Sequence, residues 1–95
     1  MKQVWKYPLN TPPGGVVEHR MPADAELLTV QEEHGSLVLW ALVDPGAAGS
    51  EARRFAVVGT GHDIAVRVGR HLGTVRAPAL YGGSVVLHVF EVQET

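Results

Sequence analysis

The stretch Ser36-Leu37-Val38-Leu39-Trp40-Ala41-Leu42-Val43 decides how the chain folds. Its apolar residues fall on both parities, so a strand here has to be covered on both faces and stand in the middle of a sheet. Upstream, residues 26–32 read as a second strand, joined to the first through Glu33-His34-Gly35. That length suits a hairpin with Gly35 at positive φ. Further out, glycine- and proline-rich breaks recur at residues 11–15 (TPPGG), 44–49 (DPGAAG), 59–61 (GTG) and 81–83 (YGG). Fifteen valines and eleven glycines fit strands separated by turns, because β-branched side chains suit a pleated surface and glycine supplies turn dihedrals. The intervals between breaks predict strands at 3–7, 16–20, 26–32, 36–43, 53–59, 71–77 and 84–92. Residues 23–28 after Pro22 are too few to carry a helix unaided. In 61–73, Ile64, Val66 and Val68 alternate against Arg67, which predicts a weak edge strand over 64–70. The expected fold is all-β with at most one short helix, a small antiparallel sandwich or partly open barrel of about seven strands.

Ninety-five residues make one domain, residues 1–95, since a second core cannot be built from so short a chain. With 45% apolar and 19% charged residues the chain can fill that core. Eight Lys plus Arg against ten Asp plus Glu leave a net charge of -2, so there is no global basic field for long nucleic acids or an anionic membrane. The absence of cysteine removes disulfides, thiol nucleophiles and Cys-based zinc sites. No apolar run approaches the length of a membrane span or a signal h-region, so the expectation is a soluble intracellular protein.

The densest polar cluster runs from Arg53-Arg54-Phe55 into Gly59-Thr60-Gly61-His62-Asp63. Alternating glycines can turn successive backbone N–H groups towards one point, and such a nest binds phosphate oxygens. Thr60 and His62 would add side-chain donors, and Arg53 and Arg54 charge. The pattern is neither a phosphate-binding P-loop nor a dinucleotide fingerprint, and it reads equally as a glycine-rich turn. Five of the eight basic residues, Arg53, Arg54, Arg67, Arg70 and Arg76, make this region locally basic, with Glu51 and Asp63 the acids close by in sequence. The histidines His19, His34, His62, His71 and His88 lack the spacings that set two imidazoles on one metal, so neither a metal nor a cofactor is expected. His88 shares a parity with Val86, Phe90 and Val92, which predicts an inward ring, either as a core histidine or on a pocket wall. Trp5, Trp40 and Tyr81 are candidates to stack a base, and Trp40 is taken as a ligand contact with His88. Ser36, Ser50 and Ser84 lie in no nucleophile-elbow context, and no catalytic residue is assigned.

The blocks Trp5-Lys6-Tyr7-Pro8, Leu39-Trp40-Ala41-Leu42-Val43-Asp44-Pro45, Gly59-Thr60-Gly61-His62 and His88-Val89-Phe90-Glu91 resemble, in this order, a family of small uncharacterised bacteriophage proteins. That family carries them as WKYPL, LWALVDP, RxFxxxGTGH and HVFE. The resemblance implies a compact β-rich fold, a viral origin and action in the host bacterial cytoplasm. It brings no established activity. The expected function is therefore a non-enzymatic binding protein that sequesters a nucleotide-type immune signal, of cyclic nucleotide or ADP-ribose type. Its ligand would be small and phosphorylated, and its pocket shared in a homo-oligomer. The alternatives are a protein-interaction module working through an exposed edge strand such as 64–70, and a small hydrolase of a nucleotide signal with His62 or His88 as base.

Overall fold

A computed structural model describes residues 1–94. Its elements are β1 (Gln3–Pro8), β2 (Val16–Pro22), β3 (Glu26–Glu33), β4 (Ser36–Val43), β5 (Ser50–Gly59), β6 (Val68–Pro78) and β7 (Ser84–Val92), with no helix among the described residues. They form two antiparallel sheets, ordered β1-β4-β3 and β2-β5-β7-β6. Each sheet keeps two edge strands, so the fold is an open sandwich and not a closed barrel. Among the described residues no helix is long and apolar enough to cross a membrane.

β4 lies between β1 and β3 as its two-sided pattern requires. Leu37, Leu39, Ala41 and Val43 are buried against the other sheet. On the outer face Val38 is buried too, whereas Trp40 and Leu42 are half-buried. Among the described residues no further layer covers that face; long neighbours do, with Lys6 Nζ 5.7 Å above the Trp40 ring and Gln31 Oε1 accepting from Trp40 Nε1 at 3.0 Å. The β3–β4 hairpin is one residue tighter than expected, because Glu33 pairs with Ser36 and only His34 and Gly35 form the loop. Their φ values of 53° and 87° are both positive, the signature of a type I′ turn.

Leu27, Val30, Leu39 and Val43 from one sheet meet Met21, Phe55, Val57, Leu87 and Val89 from the other. β3 packs across β6, where a Cβ on Gly73 would stand 2.5 Å from Val30 Cγ2; the bare glycine lets the sheets approach. β6 also carries two bulges, between Val68 and His71 and between His71 and Gly73. Each adds a residue against β7 and turns the strand's facing pattern over.

Two expectations fail. Residues 64–67 are not an edge strand; β6 starts at Val68, and the preceding segment folds over the outer face of the four-stranded sheet. There Val66 packs on a second apolar cluster of Ala56, Val58 and Val92, and Gln93 N–H donates to the Arg67 carbonyl at 2.8 Å. His88 does not point inward. Leu87 and Val89 take the core side of β7, and His88, with Phe90, faces out. Both parities of β7 are apolar because this small cover gives its outer face something to bury, so alternation alone could not choose.

Tyr7 is buried edge-on to His19, ring centroids 5.2 Å apart, and its hydroxyl has no hydrogen-bond partner. Burial raises the phenol above its ordinary 10.0. Such a group stabilises the fold below the unfolded-state value, and that contribution disappears as pH climbs through the folded one. Tyr7→Phe is therefore expected to keep or raise stability by up to ~1 kcal/mol. Denaturant titrations at neutral and strongly alkaline pH would test this, the variant losing less than the parent in alkali.

Candidate functional site

Thr60 and His88 meet on the outer face of the four-stranded sheet. Thr60 follows the end of β5, and His88 sits on β7 opposite Val58 of β5 and Thr74 of β6. Thr60 Oγ1 lies 2.8 Å from His88 Nε2 and 3.3 Å from the Val86 carbonyl oxygen. His88 Nδ1 is 3.0 Å from Thr74 Oγ1, which is 3.1 Å from His71 Nε2. A carbonyl can only accept, so the Thr60 hydroxyl donates to it and takes its own bond from His88 Nε2–H. In the neutral rings the same order then repeats: Thr74 donates to His88 Nδ1, and His71 Nε2–H donates to Thr74. The Val86 carbonyl thus orients a row of four side chains and selects one tautomer in each imidazole.

The row has an apolar flank and a charged one. The Phe90 ring lies 5.1 Å from that of His71, and His71 stands 6.5 Å from His88, centroid to centroid. Arg76 pairs with Val86 across the strands and bonds only a neutral group, donating to Ser84 Oγ at 3.0 Å. Among the described residues no carboxylate forms an ion pair with it. His71, Thr74, Thr60 and Arg76 are exposed, while His88 and Phe90 are half-buried. The arrangement offers hydroxyl and imidazole groups, one cation and an aromatic edge on an open surface. It presents no group of three or more His, Cys, Asp or Glu able to hold a metal among the described residues.

The family described as Domain of unknown function (DUF7352) matches residues 1–95. The chain belongs to that family. Nothing among the curated proteins or the solved structures matches it.

The other predicted site residues of this DUF7352 chain do not join the row. The Gly59-Thr60-Gly61-His62 segment closes as a turn: His62 N–H donates to the Gly59 carbonyl at 3.1 Å, and Gly61 has φ 84°. Thr60 N–H donates to the Val86 carbonyl at 3.3 Å, so two of the amides a nest would offer are already used. The His62 ring rests on Gly59, where a Cβ would be 2.7 Å from Nδ1. Arg53 and Arg54 lie in the middle of β5, six and five residues from Gly59 or roughly 20 and 17 Å. Arg53 is bound at both ends of its fork, to Glu91 Oε2 at 2.7 Å and Oε1 at 2.9 Å, and its Nη1 donates to the Ala25 carbonyl at 2.7 Å. The bonds to Glu91 raise its pKa against the opposing effect of burial. Arg54 pairs with Glu94 at 3.2 Å. Trp40 belongs to the other sheet altogether.

Sequence reading missed His71 and Thr74 as site residues. They are three positions apart, an odd spacing that a regular strand sends to opposite faces. The bulge between His71 and Gly73 adds one residue and returns both to the outer face.

Proposed function

We propose that the protein is a non-catalytic binding module for a small phosphorylated ligand, held on the outer face of the four-stranded sheet at the Thr60–His88–Thr74–His71 row. The observation that carries this reading is the row itself: four polar side chains oriented by one carbonyl, beside an arginine without a carboxylate partner among the described residues. Arg76 supplies the charge and the donor fork for phosphate oxygens. Protonation of either imidazole adds a second cation and converts its acceptor nitrogen into a donor. The Phe90 and His71 rings give a base a surface to stack on.

The resemblance to small bacteriophage proteins supplies the setting. In that setting the ligand is a nucleotide-type immune signal of the host, of cyclic nucleotide or ADP-ribose type, and the protein sequesters it in the host bacterial cytoplasm. Catalysis plays no part in this reading, because binding alone removes the signal.

Calorimetry with cyclic mononucleotides, cyclic dinucleotides and ADP-ribose derivatives tests it. One class should bind, and His88→Ala and Arg76→Ala should each weaken that binding at least tenfold, about 1.4 kcal/mol. Ligand recovered intact from the heated complex supports sequestration, whereas conversion would replace it with the hydrolase reading. Failure of every compound to bind would sink the proposal, and specific retention of one host protein by a Thr60→Val, His88→Ala variant would favour the interaction module.

A further inference from the structure

Of the four imidazole nitrogens in the row, only His71 Nδ1 has no hydrogen-bond partner among the described residues. His88 Nε2 gives its hydrogen to Thr60, His88 Nδ1 receives the Thr74 hydroxyl, and His71 Nε2 donates to Thr74 at 3.1 Å. His71 is exposed and His88 half-buried, so a proton from solvent enters at the outer ring. It is not confined there. The His71 Nε2–H bond can break as a new Thr74 O–H bond forms, while the old Thr74 O–H bond breaks as His88 Nδ1–H forms. The positive charge has then crossed to His88, and the row keeps every hydrogen bond, with Thr74 now donating to His71.

We infer that the Thr74 hydroxyl makes His71 and His88 one titrating unit, which holds a single proton between the two rings. A second proton is opposed twice. Both N–H groups would then point at the one Thr74 oxygen, and two like charges would stand with ring centroids 6.5 Å apart. The other charged and titratable groups around the rings are Arg76 on the same face of β6, Arg70 beside His71, and His62, Asp63 and Arg67 in the segment that folds over this face. Arg54, farther along β5, is paired with Glu94, and Glu91 of β7 is held by Arg53. None of these groups hydrogen-bonds either ring among the described residues. The consequence for binding rests on the ligand reading above: Arg76 and the shared proton together present two positive charges, which suit a doubly charged phosphate group and make its binding proton-linked.

Imidazole nitrogen NMR of the whole protein across pH, with no ligand present, tests the shared proton. In the parent the His71 and His88 nitrogens should shift over one common pH step. Thr74→Val keeps the shape and removes the hydroxyl at an exposed position, so the two rings should titrate at separate pH values. Thr74→Ser, which restores the hydroxyl, should bring them back together. A parent whose rings titrate apart, rings that still move together in Thr74→Val, or rings left apart in Thr74→Ser would each overturn the inference. Sulfate, a dianion that does not titrate near neutrality, tests the link to binding. Against chloride at equal ionic strength it should move the common step to higher pH, and Arg76→Ala should lessen that movement. A step that sulfate leaves in place, or moves as far in Arg76→Ala, would remove the proton from any part in binding. Failure of every nucleotide to bind would instead overturn the proposed function and leave the titration of the free protein as it is.

Discussion

Glu91→Ala is expected to cost about 2 to 3 kcal/mol of folding stability, lowering Tm by roughly 10 to 20 °C for a domain of this size. Arg53 and Glu91 are joined by two hydrogen bonds with side chains only 19% and 24% exposed. Removing the carboxylate leaves a guanidinium in a partly dry site with only the Ala25 carbonyl to satisfy it. The Ala25 bond extends the effect, because Ala25 precedes β3 and the arginine thereby ties the two sheets together. A thermal-melt double-mutant cycle with Arg53→Met separates the pair from its surroundings. The double variant should lose less than the sum of the singles, because it leaves neither charge stranded. Additive losses would mean that the pair is not coupled.

Gly73→Ala is expected to destabilise by about 1 to 3 kcal/mol although it removes nothing. The new methyl would meet Val30 Cγ2 at 2.5 Å, and Val30 is buried with a β-branched side chain that has few rotamers to retreat into. The sheets must then separate, or β6 must shift at a strand that also carries the histidine row. Adding Val30→Ala to Gly73→Ala should recover part of the loss, although Val30→Ala alone leaves a cavity and is itself destabilising. Denaturant midpoints read both effects, and a Gly73→Ala protein as stable as its parent would contradict the close approach of β3 and β6.

Much of the fold could be read from residue order, and the reasons are local. β4 announces itself by being apolar on both parities, and His34-Gly35 by supplying positive φ where a two-residue hairpin needs it. All seven strands lie where turn punctuation predicts them, with ends that differ by up to three residues. The failures share one cause: alternation is informative only while a strand is regular and one face is wet. β7 has an outer face covered by residues around Val66, so its two parities look alike and His88 was turned the wrong way. Val66 and Val68 both pack on that outer cluster, and with the exposed Ile64 they alternate as a strand would. β6 has bulges, so His71 and Thr74 share a face that their spacing denies them.

The site was legible only in part for a different reason. Thr60 and His88 could be picked out as polar residues in unusual places, and they do meet. The locally basic reading of residues 53–76 overlooked acids that are distant in sequence. Glu91 and Glu94 stand 38 and 40 positions from the arginines they bind, brought there by the β5–β7 pairing and the turn of the chain beyond it. Arg76, which reads like its neighbours in sequence, is the arginine that antiparallel register sets beside the row.

The proposed binding surface is the histidine row on the outer face of the four-stranded sheet. Amide and imidazole NMR during titration with the nucleotide panel tests this most directly, because it reports where a ligand sits as well as whether it binds. One nucleotide class is expected to shift Thr60, His71, Thr74, Arg76, His88 and Phe90 while Arg53, Arg54 and Trp40 stay unmoved. Shifts centred on Arg53, Arg54 or Trp40, or a spectrum unchanged by every nucleotide, would contradict it.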